Sequence, residues 1–179
     1  MKKLSLYIAL FCLIMTAGAC KNKTGGQTTA SSELSDDALM DTVQRRTFLY
    51  FWEGAEPNSG LAPERYHVDG VYPQNDANVV TSGGSGFGIM AILAGIDRGY
   101  VTREEGLARM ERIVSFLEKA DRFHGAYPHW WYGDTGKVKP FGQKDNGGDL
   151  VETAFLMQGL LAVHQYYCLL YTSPSPRDR

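Results

Sequence analysis

Two stretches of this chain, residues 85–98 and 149–167, are apolar on nearly every side. Phe87, Ile89, Met90, Ile92, Leu93 and Ile96 fill the first; Val151, Phe155, Leu156, Leu160, Leu161 and Val163 fill the second. A helix without a polar face must be covered from several directions. Each stretch is preceded by an amphipathic one. After the start signal Ser35-Asp36-Asp37, Leu39/Met40, Val43, Phe48 and Phe51/Trp52 recur at helical spacing. Thr102-Arg103-Glu104-Glu105 is a capping box, in which Thr102 and Glu105 satisfy each other's free backbone N–H groups. The helix it opens turns Leu107, Met110, Ile113/Val114 and Leu117 inward, and Arg103, Glu104, Glu111, Arg112 and Glu118 outward. Gly99 suits the C′ position of the helix before it.

The connecting segments 53–84 and 121–148 are Gly-rich, without sustained period, and predicted as long loops. No strand pattern survives beyond short stretches such as Gly70-Val71-Tyr72. The predicted fold class is therefore all-α, with buried helices alternating with amphipathic ones. An α/α toroid has this alternation: apolar inner helices line the ring and amphipathic outer helices surround it. On that pattern 85–98 and 149–167 are inner, and 36–52 and 103–120 outer. The loops entering the inner helices would meet at one mouth, where a rigid scaffold can present binding and catalytic groups.

Both ends of the chain read differently. Residues 1–20 resemble a bacterial lipoprotein signal peptide. A basic Met1-Lys2-Lys3 leads into a short apolar run, and Ala17-Gly18-Ala19 precede Cys20, the expected lipidation site. An ordinary secretory signal with an incidental cysteine is the alternative. In both cases the mature chain leaves the cytoplasm, and lipidation would place it in the cell envelope, anchored in the periplasm or at the outer membrane. Residues 21–35 are polar and rich in Gly, Ser and Thr, as in a flexible linker. At the other end CLLYTSPSPRD, starting at Cys168, resembles the translation of a transposase adapter used in sequencing libraries. Residues 168–179 are accordingly read as an adapter-derived artefact rather than a natural Pro/Ser-rich tail. Tyr167 is then the last native residue, and residues 36–167 form the N-terminal fragment of a longer domain.

Within 36–167 there is no cysteine, which excludes disulfides, a Cys-ligated metal and a thiol nucleophile there. No metal site and no cofactor is expected. The formal net charge of −2 supplies no basic field for nucleic acid.

Three constellations can carry chemistry. In Gly147-Gly148-Asp149-Leu150-Val151-Glu152, carboxylates three residues apart share one helix face at its N-terminal turn. Glycoside hydrolysis needs two such groups, one to protonate the leaving oxygen and one to activate water or attack. The same residues would also serve a structural end, Asp149 as an N-cap and Glu152 as a complement to the helix dipole. In His129-Trp130-Trp131-Tyr132-Gly133-Asp134, the indole faces suit the C–H faces of sugar rings, or plug the end of a barrel. The glycines of Asn78-Val79-Val80-Thr81-Ser82-Gly83-Gly84-Ser85-Gly86-Phe87-Gly88 fit no nucleotide-binding spacing. A tight turn lining a sugar subsite is expected there, with Gly86 and Gly88 allowing close helix packing.

Thr42-Val43-Gln44-Arg45-Arg46-Thr47-Phe48-Leu49-Tyr50-Phe51-Trp52 and Ser59-Gly60-Leu61-Ala62-Pro63-Glu64-Arg65 carry a resemblance. With residues 82–92, the His129-Trp130-Trp131 loop and Gly148-Asp149-Leu150-Val151-Glu152-Thr153, they resemble the glucoamylase-like domain of bacterial endo-β-1,2-glucanases. The resemblance implies an (α/α)6 barrel, cut here after about two hairpins, and hydrolysis of β-glucan, foremost β-1,2-glucan, with inversion. It implies catalytic roles for Asp149 and Glu152, with a further carboxylate past Tyr167, and supports Trp130 and Trp131 as subsite walls; His129, Arg65 and Glu64 are further candidates for contacts to sugar hydroxyls. A fragment of this kind is expected to be inactive by itself. A polysaccharide lyase on the same toroid, using Tyr132 and His129, and a non-catalytic glycan-binding lipoprotein are the alternatives. The expected partners are an oligo- or polysaccharide and, through the lipid at Cys20, a membrane.

Overall fold

Helix α2 (Ser82–Asp97) is the element on which the others assemble. The structure, a computed structural model, describes residues 34–167. The signal, most of the linker and the 168–179 segment lie outside the described residues. Chain order is α1 (Asp36–Trp52), β1 (Val79–Thr81), α2, α3 (Arg103–Lys119), β2 (Trp130–Tyr132), β3 (Val138–Lys139) and α4 (Leu150–Tyr167). No helix among the described residues is long and apolar enough to cross a membrane.

The glycines of α2 are why it can serve as the centre. A Cβ on Gly86 would lie 2.2 Å from the Phe155 carbonyl oxygen of α4, and one on Gly159 of α4 would lie 2.6 Å from the Gly86 carbonyl oxygen. The two backbones therefore touch, and only glycine fits on either side. On the flank toward α1, Cβ atoms at Gly88 and Gly95 would strike the rings of Phe51 and Phe48 at 2.7 and 2.4 Å. The expected close packing through Gly86 and Gly88 is realised, and residues 82–84 belong to the helix rather than to a tight turn.

The capping box forms as predicted, with Glu105 N–H donating to Thr102 Oγ1 and Thr102 N–H to Glu105 Oε2. Gly99, at φ +70°, closes the end of α2, its N–H reaching Ile96 O and that of Tyr100 reaching Gly95 O. Arg109 of α3 lies over the Trp52 ring and donates to the Phe51 and Trp52 carbonyls, satisfying the C-terminal end of α1.

The all-α expectation needs a correction. A three-stranded antiparallel sheet, β1-β2-β3, joins the two long connecting segments. The strands are two or three residues long, too short for alternation to show in the sequence, and residues 70–72 are not among them. Opposite residues share a face: Val80 and Trp131 are fully buried, whereas Thr81, Trp130 and Lys139 line the other side. Trp131 packs edge-on against Phe116 and Tyr127, and its indole N–H donates to Asp121 O.

Several positions expected to face inward do not. Leu39, Met40 and Val43 of α1 are exposed, and its burial rests on Phe48. On α3 the covered stripe narrows to Met110, Ile113 and Leu117, while Leu107 and Val114 border a groove beside Val163 and Tyr167. Met90 of α2 and Leu150, Val151 and Leu161 of α4 also face outward. The two apolar helices are covered where they meet each other and where α1, α3 and β1 pack on α2, and carry these apolar residues at the surface elsewhere.

Replacing Gly86 with Ala forces apart two backbones in contact, and a cost of about 3 kcal/mol is expected, at the upper end for an overpacked core. Gly142→Ala, where nothing lies within 4 Å of the added carbon, is the neutral control. Denaturant midpoints of the two variants of the intact protein measure the difference.

Candidate active site

The N-terminus of α2 leaves backbone N–H groups to be satisfied, as every helix start does. Its N-cap residue, Thr81, makes no side-chain cap of its own. The Ser82 N–H instead donates to His129 O at 3.1 Å. The Gly83 N–H donates at 2.7 Å to Oε2 of Glu152, from the first turn of α4, and the Thr81 hydroxyl reaches the same oxygen at 3.3 Å. A Cβ at Gly83 would lie 2.5 Å from that oxygen, so this glycine is what admits the carboxylate. Glu152 thus caps α2 from another helix, where the dipole favours negative charge.

Asp149 caps α4 itself. Its Oδ1 accepts from the Val151 and Glu152 N–H groups, both at 3.0 Å, and its Oδ2 lies 3.1 Å from His129 Nδ1. The structural role for Asp149 is therefore present. It leaves the carboxyl about a quarter exposed beside an equally exposed imidazole. The Glu152 N–H, foremost, and then the His129 ring hold the Asp149 pKa below the ordinary carboxylate value, against the opposing effect of burial. Asp149 is consequently ionised across the neutral range.

The ring of contacts closes through aromatic groups. His129 meets Trp130 edge-on at 5.1 Å, and Phe141 lies against both, at 4.5 and 4.8 Å. Lys139 Nζ sits 4.9 Å from the centroid of the Trp130 ring. The Trp130 indole N–H donates to Glu64 Oε2 at 2.6 Å, and Glu64 Oε1 accepts from Arg65 at 3.4 Å. Trp130 then pairs with Thr81 across the sheet, which returns to Glu152.

Six of the seven expected site residues, Glu64, Arg65, His129, Trp130, Asp149 and Glu152, are thus linked side chain to side chain or through one strand pair. Trp131 is the exception. It is fully buried on the opposite face of β2, so its expected place as a subsite wall gives way to one in the core. Adjacent residues of a strand point to opposite faces, an alternation that a loop over this segment would not impose. The sequence also gave no sign of Phe141 and Lys139, which join the site only because β3 pairs with β2. Thr81 and Gly83 lay within a segment singled out for its glycines, but for a turn rather than for holding a carboxylate.

No family model matches the chain. Relatives do. The chain is 58% identical over 135 residues, 75% of its length, to an exo β-1,2-glucooligosaccharide sophorohydrolase (non-reducing end) of Parabacteroides distasonis, and covers 18% of that protein. Among solved structures, a protein of Bacteroides caccae provisionally named a glucoamylase is 92% identical with a TM-score of 0.74, over 80% of this chain and 34% of that one. An endo-β-1,2-glucanase from Chitinophaga pinensis, in complex with sophorotriose and glucose, is 67% identical with a TM-score of 0.75, over 81% and 34%. The resemblance to glucoamylase-like β-1,2-glucanases read from five sequence segments is borne out, and the chain spans about a third or less of these relatives' lengths.

The lowered pKa of Asp149 has a consequence for stability. A carboxyl whose pKa is lower when folded stabilises the protein above its unfolded value, and that share is lost as pH falls through the folded one. Melting curves of the wild-type protein should therefore lose stability on acidification below about pH 4. Asp149→Asn, which keeps a capping oxygen without titrating, should lose less over that interval. Asp149→Ala should cost about 1 kcal/mol at neutral pH through the missing cap.

Proposed function

We propose that the intact protein containing this segment is a glycoside hydrolase that cleaves β-glucan, foremost β-1,2-glucan, by acid/base catalysis with inversion. The observation that carries this reading is the placement of two carboxylates, Asp149 and Glu152, one helical turn apart beside Trp130 and His129. Names of the relatives point to the same substrate: one is a β-1,2-glucooligosaccharide sophorohydrolase and another an endo-β-1,2-glucanase complexed with sophorotriose.

In this reading the Trp130 face offers an apolar platform for the C–H face of a glucosyl ring. Asp149, ionised and oriented by the two α4 N–H groups and by His129, orders or deprotonates a water rather than giving up a proton. Glu152 is fixed through one oxygen by Gly83 and Thr81. Inversion places the two working carboxyls ~6.5–9.5 Å apart, with water between base and sugar. A carboxyl supplied by a later part of the chain accords with that distance, since two acids on one helical turn have Cβ atoms only ~5–6 Å apart.

The domain reading is an (α/α)6 barrel, with α2 and α4 as inner helices and α1 and α3 as outer ones. The outward-facing apolar residues of α2 and α4 support it, because further inner helices would cover them. The proposed localisation is the cell envelope, by a lipid on Cys20 and the linker after it.

The test is hydrolysis of β-1,2-glucan by the intact protein, read as release of reducing ends and, by NMR, as the anomer formed first. The wild-type protein should release the α-anomer. Glu152→Ala and Asp149→Ala should each lower turnover at least about 10²-fold while glucan binding persists. Unchanged turnover in both variants would remove the pair from catalysis. Binding without any wild-type turnover would identify a glycan-binding protein instead.

A further inference from the structure

Asp76 is a carboxyl with almost no access to water, 4% exposed at its side chain, in a segment otherwise largely at the surface. A carboxyl at that depth calls for a partner. Its Oδ2 has one at 3.7 Å, the Nε of Arg65, while its Oδ1 is buried without any hydrogen bond. Arg65 is 41% exposed, and its Nη2 lies 3.4 Å from Glu64 Oε1. Glu64 is itself fixed, since its second oxygen takes the Trp130 indole N–H at 2.6 Å. The Tyr50 hydroxyl, donating to Pro63 O, anchors the backbone immediately before this pair, and burial, then the nearby Glu64 charge, raise its pKa so that it remains a donor.

A guanidinium paired with two carboxylates through Nε and Nη2, and still open to solvent, keeps further N–H groups for a ligand. We infer that Asp76 and Glu64 are positioning residues that hold Arg65 and Trp130 as the two halves of one glucosyl subsite, Arg65 donating to sugar hydroxyls and Trp130 stacking on the ring. This rests on the hydrolase reading and deepens it. It also revises Glu64, whose two oxygens are engaged within the protein, from a sugar ligand to the brace between the two residues that touch sugar. Asp76 acts through Arg65, and its bare Oδ1 is the sign that charge, rather than a full hydrogen-bond set, keeps it there.

The test uses the intact protein and β-1,2-linked glucooligosaccharides of increasing length. Asp76→Asn keeps the volume and loses the charge; Arg65→Lys keeps the charge and loses the fork. Each should raise KM about tenfold for the longer substrates, the size of one charge-assisted hydrogen bond, with kcat lowered no more than about twofold. The double variant should be no worse than the worse single one, because both act through one guanidinium. Trp130→Phe, which keeps a ring and loses the handle to Glu64, should raise KM for the same substrates. Melting midpoints are read alongside, and a KM that follows length rather than stability is the signature of a subsite. A fall in kcat with KM unchanged, additive effects of Asp76→Asn and Arg65→Lys, or wild-type kinetics in all three variants would overturn the inference. A wild-type protein without activity on any of these substrates would instead overturn the hydrolase reading on which it rests.

Discussion

The contact between the backbones of α2 and α4 governs the rest of the structure. Gly86 and Gly159 remove the side chains that would hold the two backbones apart. With the axes drawn together, the first turn of α4 comes level with the first turn of α2. Glu152 then reaches the Gly83 N–H, and a Cβ at position 83 would displace its carboxylate. Packing and chemistry are one constraint at this point. The glycines that let the helices meet also set a carboxylate against a helix N-terminus.

The second constraint is the sheet. Its few residues would count for little as a structural element, yet they decide what each aromatic residue does. β1 leads directly into α2, and β2 is paired to β1 in a register that sets Thr81 opposite Trp130. One face of this ribbon closes the core over Phe116 and Tyr127 through Trp131. The other carries Thr81, Trp130 and Lys139 toward Glu152, Glu64 and Phe141. Helices supply the carboxylates and the sheet supplies the platform.

The sequence was legible where the signal was local and periodic. All four helices were found, α3 and its capping box most clearly, because Thr102 and Glu105 act over three residues and leave a pattern that can be read directly. Asp149 and Glu152 could be placed together because a spacing of three at a helix start sets two side chains on one face, and Asp149 takes the N-cap role that the sequence also allowed. The core side of α1 was not legible, since Leu39, Met40 and Val43 repeat at helical spacing but stay exposed, while the glycines of α2 receive Phe48 and Phe51. Strands of two or three residues hold too few positions for alternation to register, so Trp130 and Trp131 looked equivalent. Asp76 was invisible for another reason: nothing in Gln74-Asn75-Asp76-Ala77 sets apart a buried acid from a solvated one.

The pairing of β2 bears on how such a chain can change over evolutionary time. A strand's faces alternate with every residue, so a shift of one position between Ser82, which donates to His129 O, and Gly133, which donates to Asn78 O, would exchange a core residue for a site residue. Gain or loss of a single residue between His129 and Tyr132 therefore turns Trp130 toward the core and Trp131 toward the site. A change at the hairpin tip, Asp134-Thr135, which is exposed and outside the ladder, leaves that alternation intact.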